Sequence, residues 1–166
     1  CSGSWSEAGA ATCTDCSAGK FNAGVGISAD DCVVCAAGKY VESTGATACD
    51  NCEAGKALAD DGLSATSHDS ASDCLECTPG SWAAASSASC TACATGKYFG
   101  SHGTSESNCA ICSSGKYAAS EGSASCSDCE AGKFLNDNEV SATEHDSADD
   151  CLVCTFGSYA VESSAV

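Results

Sequence analysis

Sixteen of the seventeen cysteines in this chain stand in eight CxxC pairs. That spacing can serve metal binding, thiol redox chemistry or disulfide bonding. Zinc would use the thiolates as tetrahedral ligands, and C-x2-C-x15-C-x2-C at Cys13–Cys35 and again at Cys90–Cys112 has the spacing of a four-cysteine site. Against zinc, the pairs run on without interruption, and the gaps between them vary before recurring in the same order. A redox centre needs one tuned thiolate, whereas eight equivalent pairs imply structure. Two further groups carry potential chemistry. The acids Asp60, Asp61, Asp69 and Asp73, then Asp137, Glu139, Glu144, Asp146, Asp149 and Asp150, crowd the two longest gaps. Oxygen ligands of this kind suit calcium, although no EF-hand spacing is present, and solvated acidic loops are the alternative. His68-Asp69 and His145-Asp146 recur within Ser-Ala-Thr-x-His-Asp-Ser-Ala. Catalysis would require a nucleophile and a pocket, so these histidines are expected to hydrogen-bond within a loop, capping a turn, and the chain is not expected to be an enzyme.

The elements that hold these residues repeat. Cys13, Cys16, Cys32, Cys35, Cys49, Cys52, Cys74 and Cys77 return, at the same spacing throughout, as Cys90, Cys93, Cys109, Cys112, Cys126, Cys129, Cys151 and Cys154. Residues 13–89 and 90–166 are identical at about half their positions and form two super-repeats, preceded by a partial module at 1–12. Each second cysteine opens one phrase: CSAGKF at 16–21, CAAGKY at 35–40, CEAGKA at 52–57, CTPGSW at 77–82, then CATGKY, CSSGKY, CEAGKF and CTFGSY. Cys-x-x-Gly predicts a tight turn. The Lys-aromatic step after it predicts a short strand whose ring covers a disulfide in place of a core. A Gly/Ser-rich return then makes a minimal hairpin. All six lysines occupy one slot of the phrase, where pairing with acids of an adjacent unit is expected.

Composition points the same way. Cysteine is about a tenth of the residues, Met and Arg are absent, and Pro79 is the sole proline. This is the profile of a disulfide scaffold, with staples replacing a core that units of about twenty residues cannot build. Persistent disulfides imply an oxidising compartment, so the chain is expected to be secreted, extracellular or at the cell surface. No apolar run is long enough to span a bilayer. The opening at Cys1, mid-unit, reads as a segment of a longer secreted protein. A net charge of −17, from 23 acids against six lysines, argues against nucleic acid or anionic membrane as partners. No Asn begins an N-glycosylation sequon, whereas O-glycans on the Ser/Thr-rich returns at 64–70, 86–89 and 120–125 compete with a simple turn role.

The phrase C-x-x-G-[KS]-[YFW] followed by C-x-x-C resembles the ephrin-receptor-like (GCC2/GCC3) cysteine-rich repeat. It is similar also to single-disulfide modules of tumour-necrosis-factor-receptor ectodomains. The resemblance implies that each phrase-opening cysteine bonds the first cysteine of the next pair: Cys1–Cys13, Cys16–Cys32, Cys35–Cys49, Cys52–Cys74, Cys77–Cys90, Cys93–Cys109, Cys112–Cys126 and Cys129–Cys151. Cys154 is then unpaired within these residues. Spacing alone leaves a ladder pairing such as Cys13–Cys32 open.

The expected fold is a small disulfide-rich rod of tandem β-hairpin modules with little helix. The expected function is structural: a protomer or segment of an extracellular filament or surface appendage whose partner is itself, since a regular super-repeat presents the same faces at regular intervals. The alternative is the cysteine-rich stalk or ligand-binding region of a receptor or adhesin, and a passive glycan-bearing spacer fits the same features.

Overall fold

The computed structural model describes residues 1–60, 62–136, 140–156, 159 and 160. It is a chain of small disulfide-bonded hairpins, and among the described residues the only helical elements are single 3-10 turns. We number the modules by their opening cysteine: first 1–13, second 16–32, third 35–49, fourth 52–74, fifth 77–90, sixth 93–109, seventh 112–126 and eighth 129–151. The chain divides into two compact units. One comprises Cys1–Glu76 and Ala83–Cys90, the other Cys77–Trp82 and Thr91–Val166.

The hairpin is built from the phrase itself. In the second module the Ser17 carbonyl accepts from Lys20 N–H at 3.1 Å, closing a β-turn around Gly19. Gly19 has φ +78°, the left-handed conformation that the third residue of a type II turn requires. Strand Lys20–Phe21 then pairs antiparallel with Val33–Val34 in the register Lys20↔Val34, Phe21↔Val33. The second strand is thus made from the two residues inside the next CxxC. Lys39–Tyr40 pairs with Asp50–Asn51, and Lys56–Ala57 with Leu75–Glu76. In the other unit Lys97–Tyr98 pairs with Ala110–Ile111, Lys116–Tyr117 with Ser127–Asp128 and Lys133–Phe134 with Leu152–Val153.

This placement explains why the cysteines of a pair have different environments. In every pair but Cys151/Cys154, the one that opens the following module is the more deeply buried: Cys16, Cys35, Cys52, Cys93, Cys112 and Cys129 are all at most 1% exposed. Disulfides join Cys1 to Cys13, Cys16 to Cys32, Cys35 to Cys49 and Cys52 to Cys74. The second unit has Cys93–Cys109, Cys112–Cys126 and Cys129–Cys151. Cys77 and Cys90 are disulfide-bonded as well, and Cys154 carries a free thiol. In place of a continuous core there are small clusters around these bridges. Cys52, Leu58 and Cys74 form one, with Tyr40 of the preceding module packed on it. Cys129, Leu135, Cys151 and Tyr117 repeat it at the equivalent positions of the second super-repeat. The aromatic ring therefore covers the disulfide of the following module.

Five of the six lysines behave differently from the expectation of pairing with an adjacent unit. Lys39 Nζ donates to Asn51 Oδ1 at 2.5 Å and Lys116 to Asp128, each the residue directly across its own hairpin. Lys56 and Lys133 lie 3.7 and 3.2 Å from Glu53 and Glu130 of their own turns, and Lys97 lies 3.7 Å from Glu106 of its own loop. Residues paired across two strands have Cβ atoms about 5 Å apart, so the nearest acceptor belongs to the same hairpin.

Candidate functional site

The recurring site in this fold is the seam where one module's return loop docks on the modules before it. Backbone groups do most of the joining. Gly19 N–H donates to Val41 O (2.8 Å), Gly38 to Leu58 O (3.0 Å), Gly96 to Ala118 O (2.9 Å) and Gly115 to Leu135 O (2.9 Å). The residue after the strand then donates to the next return loop: Asn22 to Ala46 O, Val41 to His68 O, Leu58 to Ser87 O, Phe99 to Ser123 O and Ala118 to His145 O.

The loop also reaches one module further back. A Cβ placed on Gly19 would lie 2.0 Å from the carbonyl oxygen of Ala65, two modules on, where no side chain fits. Gly3 meets Gly45 in this way, Gly38 meets Ser86, Gly80 meets Gly122 and Gly96 meets Ala142, at 1.9–2.3 Å. These five return loops are thus wedged against the two preceding modules, at the same point of the phrase each time. No protein-family model matches this chain, and no curated protein matches it.

At the fourth and eighth modules the seam contains a buried histidine. The long loop 58–70 forms a 3-10 turn at Ala65–Ser67, which delivers His68 to the strand of the third module. His68 is completely buried. Its Nδ1 lies 2.6 Å from Lys39 O, and its Nε2 lies 2.6 Å from Asp60 Oδ1. Asp60 Oδ1 also accepts from Gly62 N–H. That bond first, and then the histidine, hold the Asp60 carboxyl below its ordinary range. Burial alone would lower the basicity of His68, but the Lys39 carbonyl and Asp60 outweigh it, and the net direction is upward. His145 repeats the arrangement: completely buried, with Nδ1 2.7 Å from Lys116 O and its own carbonyl accepting from Ala118 N–H at 2.8 Å. The sequence places Asp137 at the position equivalent to Asp60, outside the described residues. The expected cap on a turn is present, since His68 and His145 close the 3-10 turns Ala65–Ser67 and Ala142–Glu144 and the His68 ring bonds Asp60 of its own loop, but the contact does not stop there. The ring reaches back 29 residues to the preceding module. The signal was present in the sequence, because the SATxHDSA motif and its distance from the lysine are the same in both copies.

Three of the acids proposed for calcium, Asp60, Asp73 and Asp150, have other partners. Asp60 serves His68 and Gly62. Asp73 and Asp150 accept from Ser70 N–H (3.0 Å) and Ser147 N–H (2.9 Å), closing capping boxes on the 3-10 turns Ala71–Asp73 and Ala148–Asp150. Asp149 lies in that second turn. Asp69 and Asp146 follow the buried histidines. Asp61, Asp137 and Glu139 lie outside the described residues. Among the described residues no three His, Cys, Asp or Glu side chains converge as a metal site would require.

Sequence reasoning passed over Asn22, Asp31 and Asn108. Asn22 is buried, donates from Nδ2 to Ser4 O at 3.1 Å and accepts from Gly24 N–H, fastening the second module to the first. Asp31 Oδ2 accepts from Ile27 and Ser28 N–H at 2.7 and 3.0 Å, which lowers its pKa. Asn108 makes the matching contacts to Thr104 and Ser105 in the next copy. An acid and an amide at equivalent positions look unlike in sequence, yet both supply the same acceptor. The grooves beside Lys56 and Lys97 are open and small. The one lined by Tyr40, Glu53, Lys56, Ala71 and Cys74 holds about 210 Å³, against ~300–1,000 Å³ for ligand pockets.

Proposed function

We propose that this chain is part of an extracellular structural protein that associates with copies of itself into a filament or surface appendage. Dense disulfides fit a secreted, cysteine-rich protein, and no helix is long and apolar enough to cross a membrane among the described residues. The observation that carries the reading is the repeated seam, in which the same turn glycine, strand amide and loop carbonyl meet at successive modules. A chain joined by one repeated step offers one repeated surface. Exposed aliphatic side chains recur at equivalent positions of the two super-repeats as well: Leu75 and Leu152 are 69% and 58% exposed. The resemblance of the phrase to receptor-ectodomain modules supports the extracellular placement.

The test is negative-stain microscopy together with sedimentation of the oxidised protein over a range of salt. With a charge of −17, copies repel one another, and screening shortens that repulsion to about 3 Å near 1 M salt. Ordered, growing particles that increase with ionic strength are expected. A dispersed monomer at every salt and protein concentration overturns self-assembly and leaves a receptor or adhesin stalk as the reading.

A further inference from the structure

Four observations meet at His68. The ring is completely buried. Both of its nitrogens face oxygen acceptors at 2.6 Å, one a backbone carbonyl and the other a carboxylate. A neutral imidazole has one donor and one acceptor nitrogen, so only the doubly protonated ring satisfies both contacts. The residue's own carbonyl accepts from Val41 N–H, and Ala65, three positions earlier, lies over Gly19. The ring thus sits where the long loop is fastened to two earlier modules.

We propose that His68 and Asp60 form a buried imidazolium–carboxylate latch that fastens the long loop of the fourth module to the preceding modules, and that raising the pH opens it. His145 occupies the equivalent seat in the second unit, with the same carbonyl contact and the same backbone bond.

The charges around the ring favour the closed form. Asp60 touches it and Asp73 acts on it from the 3-10 turn Ala71–Asp73. From the third module, Lys39 offers its carbonyl while its ammonium is held by Asn51. Glu42 accepts from Ala71 N–H, and the neighbouring Tyr40 hydroxyl has its pKa raised by burial and then by Asp50, Glu42 and Glu53, so it stays neutral. Because the folded His68 value is raised, its contribution is complete below 6.5 and is lost as pH rises through the folded value. The depressed Asp60 value sets the acid limit: its contribution is present above 3.8 and is lost as pH falls through the folded value. The latch is closed between these limits and opens on the alkaline side. Deprotonation removes one ring donor, so either Lys39 O or Asp60 loses the hydrogen bond from the buried ring.

The experiment is NMR on the full oxidised chain, following the His68 ring and the protection of the Val41 amide against hydrogen exchange, corrected for the intrinsic pH dependence of exchange. Two ring N–H protons on His68 at pH 6 are expected, with Val41 protection falling as the ring titrates. His68→Gln should lower that protection about tenfold or more, the size of one charge-assisted hydrogen bond. The Asn22 amide, bonded to Ala46 O in the third module's loop, should change little. Asp60→Asn keeps an acceptor for Gly62 and His68 while removing the charge, so it should move the opening to lower pH. A ring carrying one proton at pH 6, Val41 protection that ignores the His68 titration, or an Asp60→Asn chain with an unshifted transition would each overturn the latch.

Discussion

The third and fourth modules dock by the same backbone step but hold their loops differently. In the third, the return is short. Gly45 N–H donates to Cys16 O at 2.9 Å, Ala46 O accepts from Asn22 and the Gly45 carbonyl covers Gly3, all with backbone atoms. In the fourth, the cysteines are 22 residues apart rather than 14. The loop carries two 3-10 turns and a buried histidine to make the equivalent bonds, from Val41 to His68 O and over Gly19 by Ala65 O. Each extra ordered residue costs roughly 1–2 kcal/mol of conformational entropy. The longer loop therefore needs a side-chain anchor where the shorter one manages with backbone alone.

The largest test of that difference is to remove each module's bridge. In the chain-entropy description, loops of this size lose roughly 3 kcal/mol with their disulfide, and the dependence on length is only logarithmic. Replacing Cys35 and Cys49 together by Ser, or Cys52 and Cys74 together, should thus remove nearly the same entropic term. The fourth module should lose more, because Cys52 and Cys74 form a buried cluster with Leu58 and Tyr40. Hydrogen exchange of each module's strand amides measures it, and equal losses would show that the cluster adds nothing to the bridge.

What could be read from the sequence was the hairpin, because turn glycine, strand and cysteine lie within one short phrase and each is decided locally. The reach of the loop was harder to see. Gly19 is required twice over, for a positive φ and for the approach of Ala65 O. The first reason accounts fully for a glycine, so it conceals the second. The reach of His68 is hidden for a related cause, since its motif accounts for a local turn while one of its two ring partners lies 29 residues earlier. The lysines were assigned to neighbouring modules because their acids could be counted but their cross-strand register could not.

Substitutions at the turn glycines come next in size. Gly9 has φ +83° but nothing within 4 Å of a Cβ, so Gly9→Ala isolates the conformational cost, about 1 kcal/mol. Gly19→Ala carries that cost plus the displacement of Ala65 O, about 1–3 kcal/mol more. Gly3→Ala strikes the Gly45 carbonyl of the short loop in the same way. Losses in denaturant midpoint that are larger at Gly3 and Gly19 than at Gly9 are expected. If the long loop yields more easily than the short one, Gly19→Ala will be milder than Gly3→Ala. Similar costs at all three glycines would mean that the close approach contributes little.

The smallest effect expected lies in the second module, where the chain already contains its own control. Asp31 accepts from Ile27 and Ser28 N–H, and Asn108 accepts from Thr104 and Ser105 N–H at the matching place. Asp31→Asn therefore keeps the acceptor and removes only the charge, and the denaturant midpoint at neutral pH should hardly move. The acid limb should change. Bonds from the two amides lower the Asp31 pKa, so its contribution is present above 3.8 and is lost as pH falls through the folded value. In the Asn variant that dependence disappears from the second module, making its acid response like that of the sixth. Unfolding followed from neutral pH down to about pH 2 measures it, and an unchanged acid limb would show that the two amides bond equally well to the protonated carboxyl. The outcome separates two reasons for an acid in this loop, its shape as an acceptor and its charge, and the presence of Asn108 argues that shape is the one the fold requires.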